Sequence, residues 1–269
     1  MLIAIAGVTT AIGGCSSLAW RAALKRPAGT SPADVTQASL EYGPLIIHAD
    51  FALPRDQQLI GELAEEQTLI CDRLGIPPGD AKIHVYLFAD EPAYRRRVAA
   101  EFPDFPHRRA IFVEARGELQ VYAHWNEHVA EDLRHEVAHG YLHAALPELP
   151  LWLDEGLAEF FEVGDGGRGL HAGHIEHLRS KHAAGQWQPD LERLARLESA
   201  ADMTQTDYAE AWLWVHFMLG NSPGASNLLA SYLSALAEGP SDFDLGDDLR
   251  RRLPDADSRV LEHLATLGR

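Results

Sequence analysis

Cysteine is scarce in this 269-residue chain, which carries only Cys15 and Cys71. A disulfide-stapled scaffold is excluded on that count. Bases are short as well, with 23 Lys and Arg against 40 Asp and Glu and a formal net charge of −17. Phosphate repels such a surface, which argues against nucleic acid as a partner. The uncharged apolar stretch Met1–Ile12 is too short for a comfortable membrane span. No internal repeat or low-complexity run appears, so neither a solenoid nor a fibrous chain is indicated. Gly164–Gly169 is glycine-rich but lacks the Gly-Lys-Ser/Thr ending of a phosphate cradle, and it reads as a surface loop. What remains is ordinary for a globular protein: 46% hydrophobic and 23% charged residues. The length allows one large domain, or two sub-domains around a shared cleft.

The N-terminus reads as an export signal. Its apolar run ends in Ile12-Gly13-Gly14-Cys15-Ser16-Ser17. Small residues before a cysteine resemble a bacterial lipobox, in which the cysteine becomes the lipidated first residue of the mature chain. That implies a signal segment over 1–15, lipidation at Cys15, and attachment to a membrane through the lipid. The expected location is the bacterial cell envelope, facing the periplasm or the exterior. Residues 16–40, rich in Ser, Pro, Gly, Thr and Ala, read as a linker. Cys71 sits in a helical pattern and reads as a small buried hydrophobe.

Beyond the linker the hydrophobic periodicity changes character. Strands are expected at 45–49, 83–88, 110–114 and 118–123, the last two joined by a turn at Arg116-Gly117. Helices are expected at 56–74, where Gly75 stops the pattern, and over 91–101, which is basic-faced. A long helix over 127–145 is broken by Pro147 and Pro150, and the patterns after it are helical at 152–163, 173–184, 206–219, 224–238 and 255–267. The expected class is α+β over residues 41–269, with a small mixed sheet and helices in 41–125 and a helical part in 126–269.

The long helix carries His135-Glu136-Val137-Ala138-His139. Residues four apart lie one turn apart on one helix face, so two neutral imidazoles can grip one metal ion with Glu136 beside it. A catalytic zinc takes a third protein ligand and keeps one position open. A histidine ten residues after the first would supply it in one pattern, but Ala145 stands there. His143 extends the stripe but lies about 6 Å further along the axis. The better candidate is in Pro150-Leu-Trp-Leu-Asp-Glu-Gly-Leu-Ala-Glu159. A short connection makes an antiparallel helix pair, so Glu155 would face the histidines. Glu159, one turn on, would accept the second N–H of a ligand imidazole.

His-Glu-x-x-His followed by Trp-Leu-x-Glu-Gly-x-Ala-Glu resembles the gluzincin metallopeptidases, closest to the bacterial peptidase MA-like group. The resemblance is specific over about 135–162. It implies a zincin-like fold with the metal helix at the cleft, and one Zn2+ per chain held by His135, His139 and Glu155. It further implies Glu136 as general base, Glu159 behind the ligands, and a peptide or protein substrate. No Gly-x-Met-Glu-Asn strand precedes the helix, which speaks against an aminopeptidase and for an endopeptidase. Tyr208, at the start of a helix past the third ligand, is the expected oxyanion donor, with His216 as its rival. His171, His174 and His177 read as a solvated helix face, with a mobile donor or a second weak metal site as alternatives. His124 and His128 read as structural. The strand 118–123 would form the cleft edge and hold an extended peptide by strand addition. A chain that binds zinc but no longer cleaves, serving as a binding or assembly lipoprotein, is the competing reading.

The anchor is testable directly. Labelled palmitate should enter the wild-type chain in a bacterial host and be lost in Cys15→Ala; a wild-type chain that takes up no label rules the lipoprotein out.

Overall fold

The computed structural model describes residues 38–53, 58–103, 105, 107–146, 148–164, 166–220, 222–239 and 244–268. The expected signal segment, Cys15 and most of the expected linker lie outside the described residues. The end of that linker is corrected: residues 38–40 belong to a strand, β1 (Ala38–Tyr42), which pairs antiparallel with β2 (Leu45–Ala49).

The remaining strands are β3 (Ile83–Phe88), β4 (Ala110–Ala115) and β5 (Glu118–His124). They complete a five-stranded mixed sheet of order β1-β2-β3-β5-β4, in which β2–β3 and β3–β5 are parallel and β4–β5 antiparallel. Arg116 and Gly117 both have positive φ, 58° and 78°, as a two-residue hairpin turn that follows the strand twist requires. The order corrects one expectation. β5 is paired on both sides, so β4, not the strand at 118–123, is the edge next to the metal helix.

The sheet is two-faced because its side chains alternate. Leu45, Ile47, Ile83, Val85, Phe112 and Val121 enter the main core. Helices α1 (Gln58–Leu74) and α3 (Val129–Ala145) cover that side. Tyr86, Ile111, Val113 and Tyr122 point the other way, into a second cluster under α2 (Glu91–Glu101). Asp90 caps α2 by accepting from the Ala93 N–H at 2.8 Å.

The second half is helical, as expected: α4 (Leu151–Phe161), α5 (Ala172–Ala183), α6 (Leu191–Ala195), α7 (Gln205–Leu219), α8 (Pro223–Glu238), α9 (Leu245–Arg252) and α10 (Ala256–Thr266). The α+β class and the division into a sheet-bearing and a helical half stand. α6 and α9, both short, have no counterpart in the sequence reading. Cys71 is only half-buried on α1, against the core.

Two glycines fix the helices that carry the candidate ligands. A Cβ on Gly140, next to His139, would lie 2.7 Å from Ile83 Cδ1, so α3 presses on β3 there. A Cβ on Gly156, next to Glu155, would lie 2.5 Å from the Ala211 carbonyl oxygen, so α4 lies directly on the α7 backbone. The turn that carries Glu155 is thus held against backbone, and the turn that carries His139 against the Ile83 side chain. In an open helix Gly→Ala stabilises by about 0.5–1 kcal/mol. Gly156→Ala should instead lower stability by about 1–3 kcal/mol through overpacking against α7. A denaturant midpoint measured on the folded chain checks this, and a higher midpoint would contradict the packing described.

Candidate metal centre

Helices α3 and α4 are joined by residues 146–150 and run antiparallel, as the pairing of His139 with Asp154 and of His135 with Glu162 shows. Two arginines fasten α3. The Arg109 guanidinium, just before β4, holds Asp132 through both Nε and Nη2, at 3.0 and 2.6 Å from Oδ1. Arg134 Nε donates to the Glu162 carbonyl oxygen at 2.6 Å and so caps the end of α4.

Between the two helices three donor atoms converge. His135 Nε2 and His139 Nε2 are 3.2 Å apart, and each is 3.7 Å from Glu155 Oε2. All three side chains are buried. A point equidistant from these atoms lies about 2.1 Å from each, within the range of zinc–nitrogen and zinc–carboxylate bonds.

The other ring nitrogens explain why those lone pairs point inward. His135 Nδ1 donates to Glu162 Oε2 at 2.8 Å, and His139 Nδ1 to Asp154 Oδ1 at 2.9 Å. A proton on each Nδ1 leaves each Nε2 as an acceptor, the tautomer a metal ligand needs. Two lone pairs and a carboxyl oxygen then face one another on buried side chains. Positive charge at the centre would stabilise that arrangement, and the donor spacing fits a zinc-sized ion.

The electrostatics agree. Burial pushes Glu155 up to about 8 and Glu136 up to about 7. It pushes His139 down to about 4, holding the imidazole neutral. His135 differs: burial opposes its protonation, but Glu155 and Glu162 outweigh burial and raise it well above the usual range. In a chain without metal, a proton on His135 would supply that charge, and a metal would displace it.

Glu136 is fully buried on α3, and neither of its carboxylate oxygens has a hydrogen-bond partner among the described residues. The Phe112 ring stacks on His139, with centroids 6.0 Å apart at 20°. The edge strand β4 therefore lines the site.

The structure brings together His135, Glu136, His139 and Glu155, but it redistributes the roles around them. Glu159, expected behind a ligand imidazole, has its carboxylate on His174 Nε2 at 2.7 Å. The acceptors behind the ligands are Glu162 and Asp154, both missed from sequence. His143 shares Asp154 with His139, lying 3.1 Å from Oδ2, and thus sits at the far end of the His139–Asp154 pair. The solvated-face reading of the later histidines is corrected at two positions. His171 reaches Glu162 Oε1 at 3.0 Å, its ring stacks on that of His174 at 3.7 Å, and His174 is buried. His177 bonds Thr206 Oγ1 at 2.9 Å. Glu162 thereby links a ligand histidine to His171, and two carboxylate–imidazole chains run outward from the ligands.

Tyr208 lies buried on α7, and its hydroxyl donates to the Ala200 carbonyl oxygen at 3.3 Å. His216 pairs with His263 on α10, 2.8 Å through Nδ1. His124 packs against Tyr94, and His128 stands at the start of α3.

The chain matches no protein-family profile and no curated protein. It is similar in structure to a two-domain M1 zinc metallopeptidase solved as a mutant bound to L-arginine. The identity is 19% and the TM-score 0.47, over 82% of this chain and 47% of that one. It is also similar to an M1 zinc metallopeptidase from Deinococcus radiodurans, at 16% identity and a TM-score of 0.44, over 86% and 51%. The chain spans about half the length of the solved chains it matches. The metal assignment rests on the side chains alone.

Purified chain should carry about one zinc, lost in Glu155→Ala. Glu162→Gln should weaken zinc affinity about 10- to 100-fold, as removal of a ligand's hydrogen-bond partner does. A Glu155→Ala chain that keeps a full equivalent would overturn the ligand set.

Proposed function

We propose that the chain is a zinc-dependent peptidase of gluzincin type and zincin-like fold, with an endopeptidase action on extended peptides. The observation that carries the reading is the triangle of His135, His139 and Glu155 with a buried carboxylate, Glu136, beside it on the same helix. A purely structural zinc site closes its fourth position and has no use for such a carboxylate.

His135, His139 and Glu155 would hold the ion, which supplies Lewis acidity to a carbonyl and to a water. Glu162 and Asp154 fix the two imidazole rings so that no reorganisation is needed. Glu136 takes the proton from the attacking water and later returns it to the leaving amine. Its burial suits both halves of that task, since a carboxyl raised to about 7 both accepts and gives up a proton near neutral pH. The backbone of β4, edge strand and neighbour of Glu136, is the surface against which a peptide would extend by strand addition. Tyr208 is proposed as oxyanion donor, a role in which its hydroxyl would exchange the Ala200 carbonyl for the substrate. The envelope location and the lipid anchor at Cys15 belong to the same proposal and rest on the N-terminal sequence.

Glu136→Gln should keep its zinc and lose about 10²- to 10⁴-fold in kcat. In the same assay Tyr208→Phe should lower kcat with little change in KM. Equal cleavage by wild type and Glu136→Gln defeats the mechanism, and a Tyr208→Phe chain altered only in stability assigns that tyrosine to packing.

A further inference from the structure

His143 takes no part in the proposed chemistry, yet it is built into the surroundings of the metal centre. It stands on α3 about one turn beyond His139, with its side chain only 8% exposed. Both of its ring nitrogens face carboxylates. Nε2 donates to Asp154 Oδ2 at 3.1 Å, and Nδ1 to Glu114 Oε2 at 3.4 Å. Asp154 gives its other oxygen to the ligand His139, 2.9 Å from Nδ1. Glu114 belongs to β4, two residues after Phe112 and on the same face of the sheet. The Phe112 ring packs on both histidines, with its centroid 6.0 Å from that of His139 and 5.0 Å from that of His143.

A row of hydrogen bonds thus joins the edge strand to a metal ligand: Glu114, His143, Asp154, His139. The row from the other ligand takes a different course. It passes from His135 through Glu162 to His171, at the start of α5, and stays in the helical half. An imidazole ring is rigid, so the direction of its Nδ1–H fixes where its Nε2 lone pair points. Asp154 sets that direction for His139. A carboxylate held at one oxygen can still swing about its Cβ–Cγ bond, a soft torsion, and a second donor on the other oxygen removes that freedom.

We propose that His143 is a positioning residue, which locks the Asp154 carboxylate that orients His139 and ties it to the edge strand β4 through Glu114. The inference rests on the metal assignment, and on the peptidase reading for what lies along β4. A peptide extended on β4 would be set in place by the same strand that steadies the ligand. With both nitrogens engaged, His143 acts through Asp154 and not on the ion itself.

Zinc affinity of the full chain, measured against a chromophoric chelator, reads this role without any cleavage. His143→Leu should weaken zinc about three- to tenfold, less than the loss of a ligand's direct partner. In the cobalt-loaded chain it should also shift the visible absorption bands, which report the geometry at the metal. His143→Gln keeps a donor for Asp154 and should stay within about twofold of the wild type. In an Asp154→Asn chain, His143→Leu should add less than about a twofold loss, because the group it acts through is gone. Glu114→Ala, whose side chain is 29% exposed, should weaken zinc about two- to threefold in the same direction. Unchanged affinity and bands in His143→Leu, an equal loss with and without the Asp154 carboxylate, or a glutamine as damaging as leucine overturns the role. Where His143→Leu does not fold, Glu114→Ala decides, and its having no effect overturns the tie to the strand. A chain that follows this pattern but cleaves nothing keeps the positioning residue and loses the peptidase. A chain that cleaves peptides while its metal is indifferent to His143 keeps the peptidase and loses the positioning residue.

Discussion

Two imidazole nitrogens and a carboxyl oxygen, 3.2 and 3.7 Å apart on fully buried side chains, are stabilised by positive charge between them. The arrangement of α3 and α4 serves that interaction. Glu162 and Asp154 orient the rings, Arg134 closes the end of α4, and Gly140 and Gly156 let both helices press on neighbours that fix their height. The helical half thus holds one ligand helix against the other. The sheet contributes Phe112 and the edge beside Glu136.

The charge around the site is layered. The ligands are buried and polar, and their partners are carboxylates that in turn hold more histidines: His143 behind Asp154, and His171 behind Glu162. Burial alone would protonate the carboxylates and neutralise the imidazoles. In the alternating chains the carboxylates Asp154 and Glu162 keep their charge, while His139 stays neutral. Asp154, between two imidazoles, and Glu162, likewise between two, are both held well below the usual carboxylate range although burial opposes it. Such a network orients its members through many mutual hydrogen bonds, at the cost of tolerating few changes.

The convergence of His135, His139 and Glu155 was legible because it depends on local periodicity. His135 and His139 need only the helical repeat, and Glu155 needs in addition a short connection between antiparallel helices. The acceptors behind the ligands were misread for a geometric reason. At about 100° per residue, four residues overshoot one turn by about 40°, whereas seven fall about 20° short of two. Glu162 is thus closer to the stripe of Glu155 than Glu159 is, and it takes His135 while Glu159 turns to His174. The strand order was illegible for another reason. Strands 110–115 and 118–124 form a hairpin, and periodicity does not say which of its two members pairs with β3. The short helices α6 and α9 carry too few residues to establish a period.

The account turns on what occupies the centre of the His135, His139 and Glu155 triangle. X-ray absorption at the zinc edge on the purified chain reads that centre directly. The structure requires nitrogen and oxygen neighbours at about 2.0–2.2 Å, with the outer-shell signature of two imidazoles and no sulfur. A sulfur shell, a single imidazole, or zinc surrounded only by oxygen would contradict it.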